Sequence, residues 1–185
     1  MKVAILTGSI RHGRQSHQVG LFLEELIVQR NIEVSLIDLK EYPLPVLGSP
    51  NPHPEHVQFI SRQFSEADSL LFVSPEYHGS FSGVIKNALD HFWNEFKKKP
   101  IGVVTVSSGK LGGINASTHL QHVILSLGAY PLPLKFLVPE VHNAFAKLPD
   151  AVDSNLITAA KKFLDDFLWF ADAIYTKKQS KLTSN

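Results

Sequence analysis

Short apolar runs alternate with segments of helical periodicity along the chain. Val3–Leu6, Val34–Ile37, Leu70–Val73, Val103–Val106 and Leu134–Val138 are mostly β-branched or aliphatic. Near-continuous runs of this kind belong to strands covered on both faces, as in a parallel sheet. Between them, Val19, Phe22, Leu23, Leu26 and Ile27 fall on one helical stripe, and Val57, Ile60 and Phe64 on another. Pro54 precedes the second stripe and suits a first helical turn. The stretch from Gly83 to Phe96 carries Val84, Ile85, Ala88, Leu89, Phe92, Trp93 and Phe96 along one seam. Ile114 to Leu127 and Leu156 to Ile174 complete five predicted helices.

Five strands alternating with five helices predict a three-layer α/β sandwich. Right-handed crossovers place the helices on both faces of the sheet. At this size the expected architecture is flavodoxin-like, a five-stranded parallel sheet of order 2-1-3-4-5. Ligands of such sheets sit at the carboxyl ends of the strands, where the strand order reverses. The loops after strands 1, 3 and 4 are therefore the candidates for chemistry. One domain is expected over residues 1–176, with a polar, frayed tail at 177–185. The Pro-rich stretches Tyr42 to Pro54 and Tyr130 to Pro149 read as loops.

Composition narrows the function classes. The 185 residues are 44% hydrophobic and 19% charged, the balance of one compact domain. Eighteen basic and seventeen acidic side chains leave a net charge of +1, too little positive field for nucleic acid. The absence of cysteine excludes disulfides, thiolate metal sites and a cysteine nucleophile, and points to a reducing, cytoplasmic setting. Val3–Leu6 is shorter than a signal core of about 7–15 residues. No apolar run approaches the roughly 18 residues of a membrane span, so no membrane association is expected.

The first strand runs into Gly8-Ser9-Ile10-Arg11-His12-Gly13-Arg14-Gln15-Ser16. Glycines, hydroxyls and arginines at a helix N-terminus suit a phosphate, which takes free N–H groups and the positive end of the helix dipole. Ser9 and Ser16 offer hydroxyl donors and Arg11 a charge-assisted bond; alternatively Ser16 caps the helix and Arg11 is solvated. Gly8 and Gly13 have P-loop spacing, but Arg14-Gln15 replaces the Lys-Ser/Thr pair. Strand 3 ends in Ser74-Pro75, with no acid placed to hold magnesium, so nucleoside triphosphate chemistry lacks two parts. Asp38 ends strand 2 like a ribose-binding acid, but without the matching glycines it reads as a surface residue. A monophosphate fits this loop best.

Two further loops complete the edge. Ser74-Pro75-Glu76-Tyr77-His78-Gly79-Ser80-Phe81-Ser82-Gly83 offers flat side chains on a tight backbone. Ser107-Ser108-Gly109-Lys110-Leu111-Gly112-Gly113 lets a flat ligand approach the main chain. Three such loops on one sheet edge describe a pocket for a planar ring carrying a monophosphate, as in flavin mononucleotide (FMN). Of the nine histidines, His53/His56 and His119/His122 are spaced as helical pairs, but neither pair is expected to gain a third ligand, and no metal is expected. His91 reads as structural, and Lys97-Lys98-Lys99 as the basic end of the third helix. Glu76 reads as a structural hydrogen-bond partner that shapes its turn.

These motifs resemble the NAD(P)H-dependent FMN reductase family, flavodoxin-like enzymes that include quinone, azo-dye and chromate reductases. Gly8-Ser9-Ile10-Arg11 with Ser16 matches its G-S-x-R phosphate loop, and Pro75-Glu76-Tyr77 with Lys86-Asn87-Ala88-Leu89-Asp90 its P-E-Y-N…L-K-N-A-L-D signature. The similarity spans roughly residues 1–137; beyond it only a generic strand, loop and helix are expected. It implies that Ser9, Arg11 and Ser16 hold the FMN phosphate. Pro75, Glu76, Tyr77 and His78 would line the ring, with Ser107 and Gly109 on its pyrimidine side. It implies NADPH or NADH as reductant, a small acceptor of flavin, quinone, azo or metal-ion type, and ping-pong turnover without a side-chain acid or base. It also implies a homodimer or dimer of dimers, for which Phe81, Phe92, Trp93 and Phe96 are candidate contributors, each equally a candidate for the core. A flavodoxin-like electron carrier or redox sensor is the alternative, disfavoured because such carriers are strongly acidic. His78 replaces the family asparagine, and Ser82 a frequent proline, which is expected to loosen the turn before the third helix.

Overall fold

The computed structural model describes residues 1–145 and 152–182. Strand β1 (Lys2–Thr7), helix α1 (Gln15–Val28), strand β2 (Glu33–Asp38) and helix α2 (Pro54–Glu66) open the chain. Strand β3 (Ser69–Tyr77), a short strand β4 (Ser80–Phe81), helix α3 (Gly83–His91) and strand β5 (Pro100–Val106) follow. Helix α4 (Ile114–Ser126), strand β6 (Tyr130–Val138), helix α5 (Val141–Ala144) and helix α6 (Ser154–Leu182) close it. The parallel strands lie in the order β2-β1-β3-β5-β6, and β4 pairs antiparallel with the end of β3. With β4 set aside, this is the expected 2-1-3-4-5 arrangement.

Period-two alternation explains the two faces. Val3 and Ile5 of β1, Leu71 and Val73 of β3, and Val104 and Val106 of β5 pack with Val19, Leu23 and Ile27 of α1 and Phe163 and Phe167 of α6. Ala4 and Leu6, Leu70 and Phe72, and Ile101 and Val103 point the other way, toward Ile60, Phe64, Ile85, Leu89, Leu120 and Ile124 of α2, α3 and α4. Both faces are therefore dry, which is why the strands read as continuous apolar runs.

Several expectations are corrected. The third helix stops at His91, because Phe92 is extended (φ −126°, ψ 142°). Phe92 and Phe96 still reach the core, where Phe64 meets them at ring distances of 5.3 and 5.1 Å, so neither is available to a partner chain. Lys97-Lys98-Lys99 consequently lies outside that helix. The Lys99 ammonium donates instead to the carbonyls of Phe64 and Ser65 at the C-terminal end of α2. Burial, with help from the neighbouring Lys178 charge, lowers the Lys99 pKa to about 8. The Pro-rich segment from Tyr130 is strand as far as Val138, while Pro149 lies outside the described residues. Helix α6 continues to Leu182 through most of the expected tail, and residues 183–185 lie outside the described residues. Among the described residues no helix is long and apolar enough to cross a membrane.

Candidate functional site

The order of the sheet reverses at β1, so the carboxyl ends of β1 and β3 flank a crevice. A cavity of about 310 Å³ opens there, within the usual span of small-molecule sites. Its walls come from Ser9 and residues 11–16 after β1, Pro75–Tyr77 at the end of β3, Val106–Ser108 after β5, and Val141 and His142 after β6. The fold thus gathers Ser9, Arg11, Ser16, Pro75, Glu76, Tyr77 and Ser107 around one space. His78 and Gly109 lie outside its lining.

The loop after β1 is fixed at its base. Gly8 donates its N–H to the Val73 carbonyl (3.0 Å) and accepts from the Ser82 hydroxyl. Only a residue without Cβ fits, because a methyl there would lie 2.1 Å from Ile85 Cγ1. Ser82 also caps α3 by accepting from the Ile85 N–H (3.3 Å), and its own N–H donates to Ser74 Oγ (3.1 Å). It is 1% exposed. Rather than loosening the turn, Ser82 ties β1, β3 and α3 together.

The two phosphate-type ligands differ in how free they are. Ser16 is 2% exposed, and its hydroxyl has no hydrogen-bond partner among the described residues. It does not cap α1, whose N-cap position is Arg14. A buried hydroxyl without a partner costs about 1–3 kcal/mol, so one that borders a cavity is poised for a ligand acceptor. Arg11 is exposed and lies 5.7 Å over the Tyr77 ring, a cation–π contact that leaves its donors open among the described residues. Ser9 is buried, with its hydroxyl 3.2 Å from that of Tyr77.

Asp38 is the largest correction. It is 3% exposed, not a surface residue. Both of its oxygens accept from the Arg14 guanidinium, the Lys40 N–H adds a bond of 2.9 Å, and His17 Nδ1 lies 3.4 Å away. Burial pushes its pKa up, but the Arg14 hydrogen bonds, the Lys40 amide and the nearby Arg14 and His17 charges outweigh it and hold the carboxyl below its usual range.

The other walls are braced by the main chain. Glu76 accepts from the Ala116 N–H (3.1 Å) at the start of α4, a structural bond that reaches across to that helix rather than shaping its own turn. His78 and Gly79 link the paired residues Tyr77 and Ser80, with φ of 50° and 75°. Two left-handed residues make the tight hairpin turn that asparagine-glycine normally fills. After β5, the Ser107 carbonyl accepts from the Val141 N–H and the Gly109 carbonyl from the Glu140 N–H, each at 3.1 Å. These bonds carry Val141 and His142 into the cavity wall. Their only signal in the sequence was position, directly past a strand at the same sheet edge.

The histidine pairs also resolve. Glu55 supplies the carboxylate that His53 and His56 were not expected to have: ligating atoms of the three lie within 4.8 Å of one another. His53 Nδ1 is 3.1 Å from Glu55, and His56 Nδ1 is 3.1 Å from the Pro43 carbonyl. The Glu55 and His53 side chains are exposed. His119 instead meets the Ser80 hydroxyl at 3.2 Å.

The chain is also similar to known proteins. A family model described as NADPH-dependent FMN reductase matches residues 1–143. An FMN-dependent NADPH-azoreductase of Staphylococcus saprophyticus is 31% identical over 184 residues, covering 92% of this chain and 95% of the relative. Among solved structures, the flavoenzyme NAD(P)H:(acceptor) oxidoreductase FerB of Paracoccus denitrificans aligns with a TM-score of 0.76 and 26% identity, over 95% of this chain and 97% of its own. A flavodoxin of Streptococcus pneumoniae, 12% identical, shares the fold with a TM-score of 0.60 over 91% of this chain and 98% of its own.

Proposed function

The chain belongs to the family of NADPH-dependent FMN reductases, and on that premise we propose how its residues divide the work. It is an FMN-dependent oxidoreductase that draws on NAD(P)H and reduces small-molecule acceptors. When bound, FMN would supply the redox chemistry that carries hydride from NAD(P)H to the acceptor. The observation that carries the assignment of residues is the Ser16 hydroxyl, without a partner among the described residues, which lines the switch-point cavity together with Arg11 at a helix N-terminus.

Ser9, Arg11 and Ser16 hold the phosphate, Arg11 as the charge and Ser16 as a hydroxyl donor, with the free N–H groups of α1 behind them. Pro75, Glu76 and Tyr77 form one wall for the ring, and Ser107 another. Glu76 acts there as a brace, since its carboxylate already bonds the Ala116 N–H. His78 and Gly109 contribute the backbone that sets the two loops. No side chain serves as acid or base; the residues bind, orient and shield. Donor and acceptor would occupy one shared face of this site in turn. The working form is a homodimer, to which Phe81 and the 68%-exposed Trp93 contribute apolar surface. A cytoplasmic setting fits the chain's lack of cysteine.

Quenching of FMN fluorescence should saturate near one equivalent per chain, and initial rates with NADPH and a quinone should give parallel double-reciprocal lines. Absence of saturable FMN binding would overturn the placement of the cofactor. Convergent lines would overturn the shared face.

A further inference from the structure

The Arg14–Asp38 pair lies beside the proposed phosphate site, yet its charges cancel. Asp38 ends β2, opposite Thr7 of β1. Its carboxylate is committed to Arg14 and to the Lys40 N–H. The Arg14 guanidinium donates in addition to the Ser9 carbonyl (3.0 Å). One side chain therefore joins the second strand to the start of the phosphate loop, while Gly8 is pinned from the other side by Val73 and Ser82. Arg14 stands at the far end of the loop, as the N-cap of α1, and bonds Ser9 at its start, so the two ends are tied together before any ligand arrives.

We propose that Arg14 is a positioning residue: anchored by buried Asp38, it holds the Ser9 carbonyl and so prebuilds the loop that receives the FMN phosphate. The proposal rests on the cofactor placement above. A loop already ordered does not lose conformational freedom on binding, so affinity for the phosphate rises without a new contact. The burial of Asp38 separates this role from direct contact. A guanidinium held bidentately by a carboxylate brings geometry rather than net positive charge; Arg11, which has no carboxylate partner among the described residues, brings the charge.

The two roles predict opposite results for Asp38→Asn. If Arg14 positions the loop, its anchor weakens and FMN binding falls about tenfold or more, the scale of a hydrogen bond to a charged group. Riboflavin, which lacks the phosphate, changes less than about threefold on the same basis. If Arg14 instead binds phosphate directly, Asp38→Asn frees a cation and FMN binds as tightly or tighter. A merely structural role would weaken both ligands alike and leave their ratio unchanged. The double variant Arg14→Met/Asp38→Asn guards against misfolding, because removing both members of a buried ion pair spares the fold an unpaired charge. It too should lose the FMN-over-riboflavin preference while melting close to the wild type.

Fluorescence titrations of cofactor-stripped wild type and both variants decide the matter. A retained preference in both variants, or tighter FMN binding by Asp38→Asn, would overturn the positioning role while leaving the cofactor reading intact. A wild type that binds no FMN would overturn both.

Discussion

Ser16→Ala should stabilise the cofactor-stripped protein and weaken its hold on FMN. Ser16 lies in the first turns of α1, is 2% exposed, and its hydroxyl has no protein partner among the described residues. An unsatisfied buried hydroxyl costs about 1–3 kcal/mol. Alanine is also the better helix former, by about half a kcal/mol. The small void left by the oxygen takes back part of this, so a net gain of about 1 kcal/mol is expected. For a domain of this size that raises Tm by about 2–4 °C. FMN should respond in the opposite sense. Losing one hydrogen bond to a charged phosphate costs about 1.5–3 kcal/mol, or roughly ten- to a hundredfold in Kd. Riboflavin affinity should hardly change. Thermal melts of stripped protein, alone and with each ligand, read both effects in one experiment. The variant should start higher and gain less from FMN. A stripped variant that melts lower than wild type, with an unchanged preference for FMN over riboflavin, would refute the reasoning; the hydroxyl would then be serving the fold rather than the phosphate.

The Lys99 pKa of about 8 lies below its ordinary 10.5, so between those values the unfolded chain keeps a proton that the folded one has released. Stability should therefore rise with pH across about 8 to 10, and Lys99→Met should flatten that rise in urea midpoints; equal slopes would show that the Lys99 charge is not penalised. At Gly8, an added Cβ would sit 2.1 and 2.3 Å from the Ile85 side chain, so Gly8→Ala should cost about 1–3 kcal/mol by overpacking. Chemical denaturation of Gly8→Ala/Ile85→Ala should show a loss smaller than the sum of the two single changes, and strict additivity would refute the contact.

Much of the fold and the outline of the site are legible in the chain. A strand buried on both faces must be apolar at nearly every position, and a helix on a sheet must show a stripe, so both periods are written locally. The loops at the carboxyl edge carry their chemistry in residue type, which is why the sequence alone points to Ser9, Arg11, Ser16, Pro75, Glu76, Tyr77 and Ser107, residues that the fold gathers around one cavity. The left-handed pair His78-Gly79 is local too, being a two-residue turn.

Pairings across the fold were not legible. Whether Asp38 faces water or Arg14 depends on how the loop after β1 curls over the end of β2, and no spacing along the chain encodes that. Ser82 passes for a weak substitute for proline until its hydroxyl is seen against the Gly8 carbonyl. Lys99 belongs to the end of α2 only because its own helix stops early at His91. His142 reaches the cavity because main-chain bonds draw the loop after β6 against the loop after β5. Sequence alone determined which residues are apolar, which can turn and which can bind an anion, because those are properties of single side chains and their near neighbours. Tertiary structure decided which donors were already spent and which, like the Ser16 hydroxyl, were left over for a ligand, because a hydrogen bond needs two groups at one place and the chain brings them there only by folding.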